Sequence, residues 1–281
     1  MNNSFIAFFD GLEQHPLLRL AILVGGLLFF WILEGMIPLK RLLYKQNKWK
    51  HAAINFSFTL IHLAIHSVLA LVIIFLSDWC RANEWGIVYW LNTSWPVTIV
   101  VCFLVLDFFG GWLVHITEHK VPFFWHMHII HHSDNKVDVT TGLRHHPLES
   151  ILRGIFFFMG IMVSGAPMFA VMIFQTILVF ATAFTHANIQ LNEKVDKWLS
   201  YVIISPNMHK VHHHFQQPYT DSNYGAVLSI WDRLLGTFLQ LDAKKIQYGL
   251  DRYYPNQEDE NWTSLMKYPF TKKKENVETT N

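Results

Sequence analysis

Apolar residues gather in runs of about 20 along the first two thirds of this chain, long enough to cross a bilayer as helices. The first run covers residues 17–39, interrupted only by Arg19 near its start and Glu34 near its end. The second covers 54–77 and the third 95–114. Beyond a histidine-rich block come 151–163 and 168–184, separated by Ser164-Gly165-Ala166-Pro167. The shortness of 151–163 leaves that pair open, as two full spans or as a hairpin dipping partway into the membrane. The pattern predicts an all-α fold: a multi-pass bundle of four to five apolar segments beneath a more polar C-terminal third, expected to form a helical cap. One integral-membrane domain is expected over 1–265, with its histidine-rich region at about 95–250. A charged tail over 266–281, carrying Lys272, Lys273 and Lys274, is expected to be disordered. No repeat at a fixed period accompanies these elements.

Composition agrees with a membrane protein. Hydrophobic residues make up 52% of the 281 and charged ones 15%, against about 25% charged in a typical soluble domain. Mean hydropathy is positive, +0.22. A net charge of +1 supplies no field for nucleic acid, and none is expected as a partner. Cys80 and Cys102 have neither CxxC nor zinc-ribbon spacing. The first sixteen residues carry acids rather than a basic stretch, so a cleaved signal peptide is not expected.

Charge also predicts orientation. The link between the first two spans holds Lys40, Arg41, Lys45, Lys48 and Lys50. The segment before span one has no Lys or Arg, and the link between spans two and three has only Arg81. The positive-inside rule then makes the basic link cytoplasmic. Threading onward puts 115–150 and everything after 186 on the same side. The membrane would be a bacterial inner membrane or, in a eukaryote, the endoplasmic reticulum.

That side carries most of the chemistry. Of seventeen histidines, His128, His131 and His132 form one HxxHH triplet, and His209, His212 and His213 form another. His115 and His119 make an HxxxH. On a helix, positions i, i+3 and i+4 share one face, so each segment aims its rings at a common point. Imidazole suits Fe, Zn, Cu and Ni, and eight converging rings imply more than one ion. A carboxylate-rich di-iron bundle would show Glu-x-x-His on two helices. Here the nearby acids are few (Asp107, Glu118, Asp134, Glu149 and Asp221), so a mostly histidine site is expected.

The flanking residues carry a resemblance. Asp107 … His115-x-x-x-His119 … Pro122-x-x-Trp125-x-x-His128-x-x-His131-His132-Ser133 is one part of it. Asp138-Val139-Thr140-Thr141 … Arg144-x-His146-Pro147-Leu148-Glu149 is another. Ser205-Pro206-x-Met208-His209-Lys210-Val211-His212-His213, Ser222-Asn223-Tyr224-Gly225 and Trp231-Asp232-Arg233-Leu234-Leu235-Gly236-Thr237-Phe238 complete it. Over about 95–250 this resembles the fatty acid hydroxylase / sterol desaturase superfamily. The resemblance implies two non-haem irons in a cytoplasm-facing cap and O₂-dependent hydroxylation or desaturation of a lipid: acyl, sterol-like, sphingoid or carotenoid. It implies the eight box histidines as ligands, with His186 added and His146 as ligand or neighbour. Asp107, Glu149 and Asn223 are expected just behind the ligands. Ile116 and His126 stand where members often have Arg. Only His186 occupies the region where acyl hydroxylases often have a further HxxxH.

No haem or flavin motif is visible, so electrons must come from a separate cytochrome b5-like, ferredoxin or reductase partner. Three alternatives stay open. His115-Ile116-Thr117-Glu118-His119 also reads H-x-x-E-H, a zinc hydrolase motif with Glu118 as general base. A metal transporter would place ionisable ligands near the bilayer midplane. A bis-histidine haem carrier would use lone facing histidines. His126, His145 and His214 are read as bystanders, while His62 and His66 repeat HxxxH inside span two and are expected to line a polar part of the bundle, with a substrate-tunnel role open.

Overall fold

The computed structural model describes residues 4–42, 48–251 and 261–270. Lys45 and residues 271–281, with the lysine run of the expected tail, lie outside them. The described helices are α1 (Ser4–Gly11), α2 (Pro16–Met36), α3 (Lys48–Ala82), α4 (Ile87–Trp90), α5 (Trp95–Asp107), α6 (Val114–Lys120), α7 (Pro122–His132), α8 (Pro147–Ser164), α9 (Met168–His186), α10 (Glu193–Leu199), α11 (Pro206–His212), α12 (Ile230–Leu234) and α13 (Trp262–Lys267). Proline opens α2, α7, α8 and α11 in the first turn, where its fixed φ suits the helix and its missing N–H costs nothing. Three of those four helices border or carry the histidine motifs.

Among the described residues five helices are long and apolar enough to cross a membrane: α2, α3 with its extension to Trp90, the continuous 95–120 rod, α8 and α9. Their outer faces are apolar and open: Leu17, Leu60 and Leu71 are 80%, 72% and 68% exposed. A surface of that kind is suited to lipid rather than water. The open question at 151–184 resolves into two complete helices of 18 and 19 residues. The turn between them is tight. Gly165 is left-handed (φ 75°) and Gly86 has φ 104°. A Cβ on Gly86 would stand 2.4 Å from the Gly165 Cα, so the two backbones meet only because both are glycine.

All motif segments lie at the end where α2 finishes and α3 begins. Glu34, near the end of α2, accepts hydrogen bonds from the Val139 and Asn188 backbone N–H groups at 3.0 and 3.2 Å. Asn55 on α3 donates to Thr140 at 2.9 Å. α3 has 35 residues, hence about 52 Å of length, against about 30 Å of hydrocarbon. Its N-terminal part therefore stands in the cap.

The cap is helical, as expected, but in short pieces. Its later helices are only five to seven residues long, because buried acids and amides pin irregular backbone in place. The tail boundary also moves. Residues 266–270 continue α13 and a short 3-10 turn, and Leu265 packs with Ile54, Phe58 and Ile130, with Trp262, Met266 and Tyr268 alongside.

Candidate metal centre

The rod that carries the first motif changes winding just before it. Residues Phe108–Leu113 form a π-helical turn between α5 and α6, a distortion that often marks functional sites. Loop 226–231 packs into it: a Cβ on Gly111 would meet Ala226 at 2.9 Å. Asp107, buried at this point, accepts from Val227 N and Leu228 N, each at 3.1 Å, and from Trp231 Nε1 at 2.9 Å. Asp107, expected just behind the ligands, is thus bonded to none of the ligand rings. Its oxygens hold the loop instead, because the π turn brings that backbone closer than any ring.

The eight box histidines and His186 converge in two buried groups. His115, His119, His128, His132 and His212 form one; His131, His186, His209 and His213 form the other. Within each, one ligand atom per residue lies within 4.8 Å of all the rest. The groups adjoin, with His132 stacked on His213 at 4.7 Å between ring centroids.

Outer partners fix the rings of the first group. His115 Nδ1 donates to the Tyr224 carbonyl at 2.8 Å, and His212 Nδ1 to the Ser222 carbonyl at 2.6 Å. His119 Nδ1 donates to Asp221 at 3.1 Å and His128 Nδ1 to Glu149 at 3.0 Å. Burial pushes the Asp221 carboxyl up, but hydrogen bonds from His119 and Lys120 outweigh it and hold the group below its usual range. A neutral imidazole carries one proton, so four rings that spend it outward keep bare Nε2 lone pairs inside. The Nε2 atoms of His119 and His212 have no hydrogen-bond partner. Those of His115 and His128 face each other at 3.2 Å, two lone pairs with no proton between them.

In the second group one ring, His186, is fixed from outside in the same way. His186 Nδ1 donates to the Thr182 carbonyl at 2.8 Å, and its Nε2 lies 3.1 Å from His131 Nε2 and 2.9 Å from His209 Nε2. His132 and His213 lack a partner on either nitrogen. Facing lone pairs repel, and unpaired buried nitrogens are costly; a cation relieves both. With metal–nitrogen bonds of about 2.1 Å, adjacent nitrogens of a six-coordinate ion stand about 3.0 Å apart, matching the spacings seen. The donor set therefore fits two metal ions.

Burial keeps these imidazoles neutral. It pushes His128 down to about 3, against the pull of Glu149. Burial, and then mutual repulsion among the rings, holds His131, His132, His209, His212 and His213 well below the ordinary histidine value. The unfolded chain regains histidines near pKa 6.5 and so binds more protons than the folded one below that pH. Stability and metal retention should both be full above about pH 7 and decline as pH falls through 6.5 and below. Thermal melts with metal analysis between pH 7.5 and 5 check this; an unchanged melting temperature and metal content at pH 5 would oppose it.

Around the two groups, Glu149 accepts from His128, from His145 at 2.7 Å and from Arg153 at 2.9 Å. Asn223 meets no ring. It has φ 52°, donates to the Met208 and Leu239 carbonyls and accepts from Leu239 N, which fixes the flanking Ser222 and Tyr224 carbonyls. His146 stands apart: its Nδ1 accepts from Leu148 N at 3.2 Å and caps α8, and its ring faces Phe270 at 5.9 Å. A His-Pro helix start accounts for it. His146→Ala is expected to cost about 1 kcal/mol of stability while leaving metal content unchanged, as metal analysis beside a melt would show; lost metal would restore it as a ligand.

Glu118 is no metal-side base. It is fully buried, and its Oε2 accepts from Arg153 at 2.5 Å and lies 3.7 Å from the outer nitrogen of His128. That removes the geometric support for the zinc hydrolase reading. His126 turns to the Pro122 carbonyl and His214 accepts from Gln247 N, both away from the groups. His145 is not idle: it stacks on His131 at 4.3 Å and 13° and forms a third cluster with His128 and Glu149. Its i, i+4 relation to Glu149 was the available signal. Asp232, also overlooked in the sequence, accepts from Tyr224 N and Gly225 N, each at 2.8 Å, from Thr237 Oγ1 at 2.6 Å and from Trp112 Nε1 at 3.1 Å.

Residues 99–237, which contain every box, match the fatty acid hydroxylase family model. Alkylglycerol monooxygenase of Xenopus tropicalis is 33% identical over 157 residues, covering 55% of this chain and 33% of the relative. The human alkylglycerol monooxygenase is 30% identical over 161 residues, 57% of this chain and 35% of that one. Ornithine lipid hydroxylase OlsE of Rhizobium tropici is 29% identical over 146 residues, 52% of this chain and 43% of the relative. The chain thus spans about a third to a half of the length of the curated relatives it matches. No solved structure matches it. With its ordered histidine boxes lying inside the matched region, the chain belongs to the fatty acid hydroxylase / sterol desaturase superfamily.

Proposed function

We propose that this chain is a membrane-bound, O₂-dependent oxygenase with two irons that inserts oxygen into a C–H bond of a lipid. The observation that carries the reading is the pair of buried imidazole groups with bare nitrogens turned inward. The relatives' names, hydroxylase and monooxygenase, favour hydroxylation over desaturation. The first group, His115, His119, His128, His132 and His212, holds one ion; His131, His186, His209 and His213 hold the other. Iron bound there supplies the reaction of O₂ with an unactivated C–H bond.

The chain's own residues do the rest. Asp221, Glu149 and the Ser222, Tyr224 and Thr182 carbonyls keep His119, His128, His212, His115 and His186 in the tautomer that offers Nε2 inward. Burial excludes water and protonation. Balance requires R–H, O₂, two electrons and two protons to give R–OH and water. The electrons come from a separate partner, cytochrome b5-like, ferredoxin or reductase, reaching the cap from the cytoplasm. The basic link at Lys40, Arg41, Lys48 and Lys50 supports that orientation, in a bacterial inner membrane or the endoplasmic reticulum. Residues 1–270 act as one domain.

The test is a lipid comparison between cells making the wild-type chain and His131→Ala, grown under ¹⁸O₂. A lipid carrying one labelled oxygen only with the wild type is expected. Identical profiles with reductant available would overturn the proposal.

A further inference from the structure

α3 passes the metal centre on one side, and its face there is polar where a membrane helix should be apolar. Thr59, His62 and His66 sit at i, i+3 and i+7, on one face. They follow Asn55 and its bond to Thr140 along α3, the first of them one helical turn beyond it. His62 and His66 stand 6.1 Å apart between ring centroids, and His62 stands 6.4 Å from His145. His145 in turn stacks on His131 at 4.3 Å. A line of rings thus runs from the lipid-facing surface, where His66 is exposed, to the second group of ligands.

Two atoms on this face have no partner although both are buried: Thr59 Oγ1 and His62 Nε2. Each costs stability when left unmet. A neutral imidazole gives or takes one bond at Nε2 according to its tautomer, and a threonine hydroxyl can do both, so the face is built to meet a polar group that exchanges hydrogen bonds with it. Farther along, Leu69 of α3 packs onto Gly154 of α8 and closes that seam, so the approach to this face from the bilayer is past the exposed His66.

We propose that Thr59, His62 and His66 form the recognition wall for the substrate, taking a hydroxyl or amide N–H of a polar-headed lipid. The lipid enters laterally past His66 and is held by Thr59 and His62 while its reacting carbon lies beyond His145. This rests on the lipid-oxygenase reading for the identity of the ligand, but the wall itself can be tested by binding alone.

The experiment uses purified, metal-loaded full chain in detergent, melted with hexadecan-1-ol or with hexadecane. The wild type should gain melting temperature with the alcohol and not with the alkane. Thr59→Val and His62→Phe should each lose that preference with metal content unchanged. If His62→Phe fails to fold, Thr59→Val, which keeps shape and removes only the hydroxyl, decides. Equal responses to alcohol and alkane in the wild type, or a preference kept in Thr59→Val, would overturn the wall. A preference lost as expected, in a protein that yields no oxygenated lipid in the isotope experiment, would sink the oxygenase reading and leave the wall standing.

Discussion

His213→Ala should abolish lipid oxidation, lowering it by more than about 100-fold, and should strip metal from the purified protein. The bound for a residue merely behind a ligand is about 10- to 100-fold, and a ligand at the junction of both groups should exceed it. His213 stacks on His132 and stands 4.6, 4.9 and 5.4 Å from the rings of His131, His209 and His186. Neither of its nitrogens has a partner in the protein. Without metal, then, its removal should cost the fold little, since no hydrogen bond is broken. The discriminating measurement is a melt with and without chelator. Wild type should lose several degrees on chelation, because an ion that binds only the folded state stabilises it by mass action. His213→Ala should start low and respond weakly. A variant with normal metal content and a normal response to chelator would show that the ring only packs.

Asp232→Ala should be the most damaging change outside the histidines. It takes the acceptor from two backbone N–H groups, an indole and a hydroxyl at once. Removing one member of a buried polar network costs about 3–5 kcal/mol. The loss should reach the metal through the backbone. Asp232 fixes Tyr224 and Gly225, and the Tyr224 carbonyl sets the His115 ring. Asp232→Asn, which keeps the size and one acceptor, should recover part of the stability. Melting both variants and measuring metal in each separates the effects; Asp232→Ala with wild-type stability would refute this view of the loop.

The five long helices were legible because hydrophobic length is a bulk property of the bilayer, and no packing detail is needed to see it. The convergence of the box histidines was legible because helical spacing alone aligns i, i+3 and i+4. His186 joined them on the strength of the family resemblance. What the chain order concealed was contact between distant backbone and side chains. Asp107 supports loop 226–231 rather than a ring because a π turn of six residues changes which groups meet. Asp221 and the Tyr224 carbonyl reach His119 and His115 across about a hundred residues, and no periodicity marks such pairs. His146 misled because a histidine before proline is equally well placed to cap a helix. The folded stretch at 266–270 escaped notice because its few apolar residues, Met266, Tyr268 and Phe270, are too short a run beside the charged tail to show a period, although Leu265 and Met266 anchor it.

The central claim is that two metal ions sit between the inward nitrogens of nine histidines. Metal quantification with Mössbauer spectroscopy on protein purified from ⁵⁷Fe-grown cells tests it most directly. Two irons per chain are expected, in a nitrogen-rich environment and coupled to one another. A single zinc, or iron that persists unchanged in His213→Ala, would contradict it.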